Sequence, residues 1–323
     1  MRSFIVAALL ALLTSGTNAR ADDFPSRPVT IVVPFAAGGP SDALTRIVAQ
    51  RMRTALGGPL LIENATGAGG SLGTGRLARA TPDGYTIGFG NLGTHVANGV
   101  IYKLGYDLVT DFEPVVLLPS NPMIVVSKNA APAKTLQELI AWLKAKPTPA
   151  TSGTAGAGSG SHIAGLYLES VAGIKLEYVP YRGTGLAMND LVAGQIDVII
   201  DQISNSVAQV RAGTIRAYAV SGDTRAETVP DIPTANEAGL SGFHMTLWSG
   251  LWAPKGTPKD ILAKLNRAAV EAMSDPEVRK QMANLGLQMP PADQLTPEAL
   301  GAMQKAEIAK WWPLLKTAGV RGE

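Results

Sequence analysis

The chain has 323 residues, 46% of them hydrophobic and 17% charged, with 28 Lys or Arg, 26 Asp or Glu, 3 His and no Cys. This is a globular composition, neither disordered nor fibrous, long enough for two domains. Without cysteine there are no disulfides, thiolate metal sites, iron–sulfur clusters or Cys nucleophiles. No dense polybasic tract marks the chain as a nucleic-acid binder.

Arg2 precedes an apolar run from Phe4 to Leu13, and the polar, small-residue stretch TSGTNARA follows. The run is well short of the ~20 residues that span a membrane, and Ala19-Arg20-Ala21 fits an A-x-A cleavage pattern, so residues 1–21 read as an export signal peptide. Cleavage after Ala21 removes Arg2 and Arg20, which brings the basic count from 28 to 26, equal to the acidic count. A neutral mature chain offers no global steering of a charged partner. A bacterial lipoprotein needs a Cys at its processing site, so the mature protein is expected to be soluble and unanchored, in a Gram-negative periplasm.

From Pro28 onward, β-branched runs alternate with segments of helical period, the pattern of a parallel α/β sheet. VTIVVP (29–34) predicts a buried strand. The next helix sets Leu44, Ile47, Val48, Met52 and Ala55 on one face. LLIEN (60–64), GYTIGFG (84–90) and IVVSK (124–128) predict further strands. A helix over 136–144, a short strand near Ala150, a helix over 160–172 and the strand LEYVP (176–180) follow. IDVIID and IRAYAVS continue the alternation, and 258–274 and 297–317 read as amphipathic helices with Pro258 and Pro297 near their starts. No linker divides the chain into sequential halves. Two lobes joined by crossing strands near 123–128 and 243–253 fit better: 22–125 with 248–323 as one lobe, and 126–247 as the other.

Four polar, glycine-rich turns stand at the C-terminal ends of predicted strands, where open α/β sheets bind ligands. In PFAAGGPSD (34–42), Gly38 and Gly39 permit close backbone approach and the opening helix favours an anion. An ordinary turn capped by Ser41 or Asp42 explains the segment equally well. GNLGTH (90–95) supplies neutral donors in Asn91, Thr94 and His95, with a plain loop as the alternative. SGTAGAGSGSH (152–162) places Ser159 and Ser161 at a helix start. YRGTG (181–185) adds a fourth such turn, whose Arg182 either pairs bidentately with a carboxylate or lies in solvent. Asp201 closes a strand and accepts a hydrogen bond from a ligand or from the neighbouring loop. Phe35 and Phe89, with Trp248 and Trp252, form either a cleft wall or ordinary core.

Enzyme signatures are weak. Gly69-Gly70-Ser71-Leu72-Gly73 matches the G-x-S-x-G nucleophile pattern, but that elbow needs a strand ending at the Ser, and the predicted strand stops at residue 64. His95, His162 and His244 lack metal-ligand spacing. GTGRLA (73–78) has no strand at the right distance before it and no acid about 20 residues on, as a dinucleotide site requires.

RPVTIVVPFAAGGPSD, DFEPVVLL, SGTAGAGSGSH, VPYRGTG, LVAGQIDVIID, IPTANEAGLSGF and LWAPKGTPKDILAKLN together resemble the substrate-binding receptors of tripartite tricarboxylate transporters, the Bug family, across the whole mature chain. The resemblance implies a two-lobed α/β fold of the type II-like periplasmic binding protein kind, each lobe a mostly parallel sheet flanked by helices. It implies a monomeric, non-enzymatic receptor without metal or cofactor that closes on a small carboxylate and delivers it to a two-component membrane permease. Matching the family's loops points to Ala37, Gly38, Gly39 and Ser41 in one lobe, and to Ser159, Ser161, His162, Arg182, Gly183 and Thr184 in the other. The family's usual Tyr-Lys-Gly here carries Arg182 instead of Lys. Two alternatives remain at this stage: a ligand sensor feeding a membrane signalling protein, and a secreted hydrolase using Ser71 or Ser159 with a histidine.

Overall fold

The computed structural model describes residues 24–322, so the expected signal peptide lies outside the described residues. Nine strands form one curled sheet in the order β2-β1-β3-β9-β4-β7-β5-β6, with β8 also on β4. These are β1 (Val29–Val33), β2 (Leu60–Asn64), β3 (Thr86–Asn91), β4 (Phe112–Lys128), β5 (Ala150–Thr154), β6 (Leu176–Pro180), β7 (Val198–Gln202), β8 (Ile215–Val220) and β9 (Thr246–Pro254). The outer strands pair in parallel, β1 with β2 and β3, and β5 with β6 and β7. The central strands are antiparallel, β9 between β3 and β4, and β7 and β8 against β4.

The 17-residue β4 joins the two lobes. Its first part, Phe112 to Pro122, pairs with β9, whereas Met123 to Lys128 pairs with β7 and β8. The partner strand therefore changes between Pro122 and Met123, and IVVSK proves to be the end of a much longer strand. Register shifts at Pro114/Val116 and Leu118/Asn121 mark bulges beside three prolines, Pro114, Pro119 and Pro122, whose missing N–H groups a regular ladder would not tolerate.

Among the described residues, ten α-helices cover the sheet: α1 (Pro40–Leu56), α2 (Ser71–Ala78), α3 (Asn98–Ile101), α4 (Leu136–Ala145), α5 (Gly160–Ala172), α6 (Thr184–Val192), α7 (Ile203–Arg211), α8 (Lys259–Ser274), α9 (Pro276–Asn284) and α10 (Pro297–Thr317). Helix α1 starts with Pro40, buries Leu44, Val48 and Met52 at one face, and stops at Gly57 in the left-handed region (φ 69°). Its buried face meets Val29, Ile31 and Val33 of β1 and Leu265 and Ala269 of α8, forming the core of the first lobe. In the second lobe Leu191, Ile203 and Val207 close on Ile124, Val126 and Ile199. Helix α10 returns to pack on β4 and on the turn Gly93–Ala97 that follows β3.

Candidate functional site

Parallel β-α units place each helix start at the same edge of the sheet. Here the starts of α1, α5, α6 and α7 meet at one small cavity between the lobes. Its wall comprises Phe35, Gly39, Pro40, Ser41 and Asn91 from the first lobe, and Ala155, Ser159, Gly160, Ser161, Gly183, Thr184 and Gln202 from the second. It has about 20 Å³ open to the centre of a water-sized sphere, enough for one or two waters or the oxygens of one small group. No charged side chain lines it. The first N–H groups of a helix lack intrahelical partners, so four such ends make a neutral, donor-rich concavity with positive potential.

The side chains are set by local bonds. Ser159 caps α5 by accepting the His162 N–H at 3.4 Å, and the Ser161 hydroxyl accepts the Ala155 N–H at 3.0 Å. Asn91 and Thr94 bond reciprocally: the Asn91 N–H reaches Thr94 Oγ1 at 3.0 Å, and the Thr94 N–H reaches Asn91 Oδ1 at 3.1 Å. That leaves the Asn91 amide NH₂ as the donor end of its side chain.

Of the residues singled out in the sequence, Phe35, Gly39, Ser41, Asn91, Ser159, Ser161, Gly183 and Thr184 line this cavity. Ala37 and Gly38 are exposed beside it, and the Gly38 N–H is already donated to Asp42 Oδ2 at 2.9 Å. Asp42 thus organises the turn. Burial raises its pKa, but Arg46, the Gly38 N–H and Asn64 outweigh that and hold it below the ordinary value. Thr94 and His95 are wholly buried behind the wall. His95 stacks on Trp252 with ring centroids 3.9 Å apart, its Nδ1 is 3.0 Å from Thr94 Oγ1, and burial depresses its pKa to about 3. It is a neutral core residue, and Phe89 and Trp252 are core with it. Pro40, Ala155, Gly160 and Gln202 are wall residues that the sequence did not mark. Gln202 had a usable signal, since it ends one strand and opens the next helix as the other turns do.

Asp201 sits directly behind Gln202 and is fully buried. Its Oδ2 accepts from Asn205 Nδ2 and the Ser206 hydroxyl, both at 2.7 Å, while Oδ1 is buried without a hydrogen bond. Burial raises its pKa to about 6 against the opposing pull of Ser206, Asn205, the Gln202 N–H and Thr184.

The lobes touch across the cleft. The Ala36 N–H donates to the Arg182 carbonyl at 3.0 Å, and the Tyr102 hydroxyl donates to the Ala157 carbonyl at 2.9 Å. Gly69, at φ +57°, lies so close that a Cβ there would stand 2.0 Å from the Ala157 carbonyl oxygen. Tyr102→Phe removes one cross-cleft bond worth about 0.5–1.5 kcal/mol. Ligand affinity is expected to fall by roughly 2- to 12-fold, mostly through faster release, as stopped-flow dissociation would show.

Beside the cavity, sharing Ala155 with it, is a chamber of about 560 Å³ on the same measure. Pro34, Gly67 to Gly70, Tyr102 and Arg321 line it from the first lobe, and residues 154–157, His162, Tyr178 and 180–182 from the second. The His162 Nδ1 accepts the Gly158 N–H at 3.1 Å, which assigns the ring proton to Nε2, and burial lowers its pKa to about 4.

Nothing in this arrangement forms a nucleophile and base. Ser71 opens α2 seven residues after β2 ends, and among the described residues no serine hydroxyl bonds a histidine ring. No group of three or more potential metal ligands occurs among the described residues, nor a helix long and apolar enough to cross a membrane.

Two α/β lobes with helix starts converging in the cleft between them define a solute-binding receptor, and the chain belongs to the tripartite tricarboxylate transporter receptor family, whose description it matches over residues 44–320. The family is one of receptors and not of enzymes. Similar solved structures include MatC (Rpa3494) from Rhodopseudomonas palustris with bound malate, 41% identical, with a TM-score of 0.87 and covering 90% of this chain and 100% of that one. The periplasmic binding protein BugD is 40% identical, with a TM-score of 0.89 over 92% of this chain and 99% of its own. R. palustris Rpa4515 with adipate is 31% identical, with a TM-score of 0.87 and coverage of 93% and 99%.

Proposed function

We propose that this receptor captures a small carboxylate by hinge closure in the periplasm and delivers it to the membrane permease of a tripartite tricarboxylate transporter. The carrying observation is the convergence of four helix N-termini, from both lobes, on one uncharged cavity. Three of these termini at up to ~2 kcal/mol each when partly buried, together with hydroxyl and amide hydrogen bonds, are of the order of the ~8 kcal/mol of micromolar binding. Malate in MatC and adipate in Rpa4515 agree with an acid as ligand. The carboxylate is held by the N–H groups opening α1, α5 and α6 with Ser41, Asn91, Ser159, Ser161 and Thr184, and Phe35 excludes water. The lobes divide near residues 125 and 248, close to where β4 changes partners and β9 begins. The leader ending at Ala21 exports the chain across the inner membrane of a Gram-negative cell.

The test is a thermal-shift screen of residues 22–323 against small carboxylates and their methyl esters or amides. Ligand at 100 times its dissociation constant stabilises by about 2.7 kcal/mol, so an upward shift with an acid that vanishes for its blocked form is expected. Equal shifts with both forms would defeat the carboxylate reading. A protein purified already loaded is detected by denaturing extraction and mass spectrometry.

A further inference from the structure

Of the buried acids among the described residues, Asp42 pairs with Arg46, and Asp197 pairs with Lys128 and Lys146. Asp201 is 0% exposed, both groups that bond its Oδ2 are neutral, and its Oδ1 bonds nothing. Burying a carboxylate without a counter-charge is costly. Its place in the fold adds a second observation. Asp201 ends β7 just before Gln202, is bonded from the first turn of α7 by Asn205 and Ser206, and feels the pull of Thr184 at the start of α6. Thr184 and Gln202 themselves line the small cavity. The starts of α6 and α7 thus serve a fixed carboxyl on one side and, on the reading above, the ligand carboxylate on the other. Two anions sharing the same positive helix ends in a site of low dielectric disfavour joint ionisation.

None of the elements packed on Asp201 turns a cation to it. β5 and β7 hold no other charged residue. Glu113 and Lys128, at opposite ends of β4, pair with Lys255 and Asp197. Arg211, ending α7, donates to the Thr228 carbonyl, and Asp190 of α6 accepts from the Tyr181 hydroxyl. Arg182, in the turn before α6, is exposed on the chamber side. His162 and His95 are neutral, with pKa values of about 4 and 3.

Resting on the carboxylate reading above, we infer that Asp201 is a proton-linked positioning residue: the receptor takes up a proton from solvent at this carboxyl as it binds an acid. Oδ2 keeps accepting from Asn205 and Ser206, the proton sits on the unpartnered Oδ1, and the helix starts are left to the ligand. The free carboxyl titrates at about 6 and the ligand charge pushes it higher. Affinity is therefore greatest below pH 6 and falls as the pH rises above it, by up to about tenfold per pH unit.

The probes are succinate, glutarate, adipate and benzoate, titrated by calorimetry at pH 7.0 in HEPES and in imidazole. These buffers differ in ionisation enthalpy, so the difference in binding heat counts the protons taken up. The wild type is expected to take up roughly half a proton or more per acid bound, and to bind several-fold more weakly at pH 8.0 than at pH 6.5. Asp201→Asn should bind without proton uptake and with an affinity that is flat over this range. Ser206→Ala keeps the carboxyl but removes a donor that favours its ionised form, so the pH of greatest uptake should move upward. Binding without uptake in the wild type, uptake that persists in Asp201→Asn, or a maximum that stays in place in Ser206→Ala overturns this inference alone. Binding of none of the acids overturns the carboxylate reading and this inference with it.

Discussion

Gly183→Val is expected to weaken ligand binding by roughly 5- to 150-fold while leaving the ligand-free protein folded. Gly183 has an extended backbone, φ 175°, which any residue adopts, so valine strains nothing locally. A Cβ there would lie 3.2 Å from Ala36 Cβ and 3.3 Å from Ala36 N, across the cleft. The two further methyl groups of valine have no room while the Ala36 N–H to Arg182 carbonyl bond exists. Overpacking of this kind costs about 1–3 kcal/mol, and under the proposed hinge closure the cost falls on the closed arrangement alone, which converts to the stated loss at tenfold per 1.4 kcal/mol. Isothermal titration with the ligand from the thermal screen measures it, and the unliganded melting curve is the control. An unchanged dissociation constant would mean that the ligand is held without this contact.

Asp201→Asn is expected to stabilise the protein above pH 6. Burial lifts the Asp201 carboxyl from an ordinary 3.8 to about 6. The folded state thus holds the proton more tightly than the unfolded one, so stability from this group is full below about pH 3.8 and is lost as pH rises to about 6. The loss is complete above that and on the order of 3 kcal/mol. Asparagine stays neutral, and its oxygen accepts from Asn205 and Ser206 as Oδ2 does now. Urea unfolding at pH 4.5 and 7.5 should show a pH-dependent gap between variant and wild type, widest at 7.5. A variant that is less stable at pH 7.5 would show that the ionised carboxylate is needed in the fold. Because Asp201 lies behind Gln202 and Thr184, the same titration in the presence of ligand reports whether an anion in the cavity draws a proton to this site.

The strand-turn-helix pattern was legible wherever the physics is local. Glycines after β-branched runs announced the helix starts at Gly39, Ser159 and Gly183, and all three stand at the cavity. Strand β4 was hidden in its first part because Pro114, Pro119 and Pro122 break every local rule for a strand; only the bulges and the long-range partner β9 make them admissible. The inward turn of His95 was equally non-local, since it is fixed by stacking on Trp252, 157 residues away in the chain. In the sequence, His95 and Asn91 looked like equivalent donors, and only the packing separates one behind the wall from one in it. Arg321 carried no signal at all, because a tail residue acquires a setting only when α10 has carried it back to the cleft.

The prolines of β4 also bear on how any opening motion would register. Between Leu118 and Asn121 the strand slips register, and Pro119 and Pro122 contribute no amide proton. Around them the Ser120 N–H donates to the Gln288 carbonyl and the Met123 N–H to the Ser221 hydroxyl, both at 2.9 Å, so the amides of this crossing are held by groups outside the β4–β9 ladder. Hydrogen–deuterium exchange would register such a motion as altered protection at Ser120 and Met123 in the crossing, and at Ala36, whose N–H crosses the cleft to Arg182.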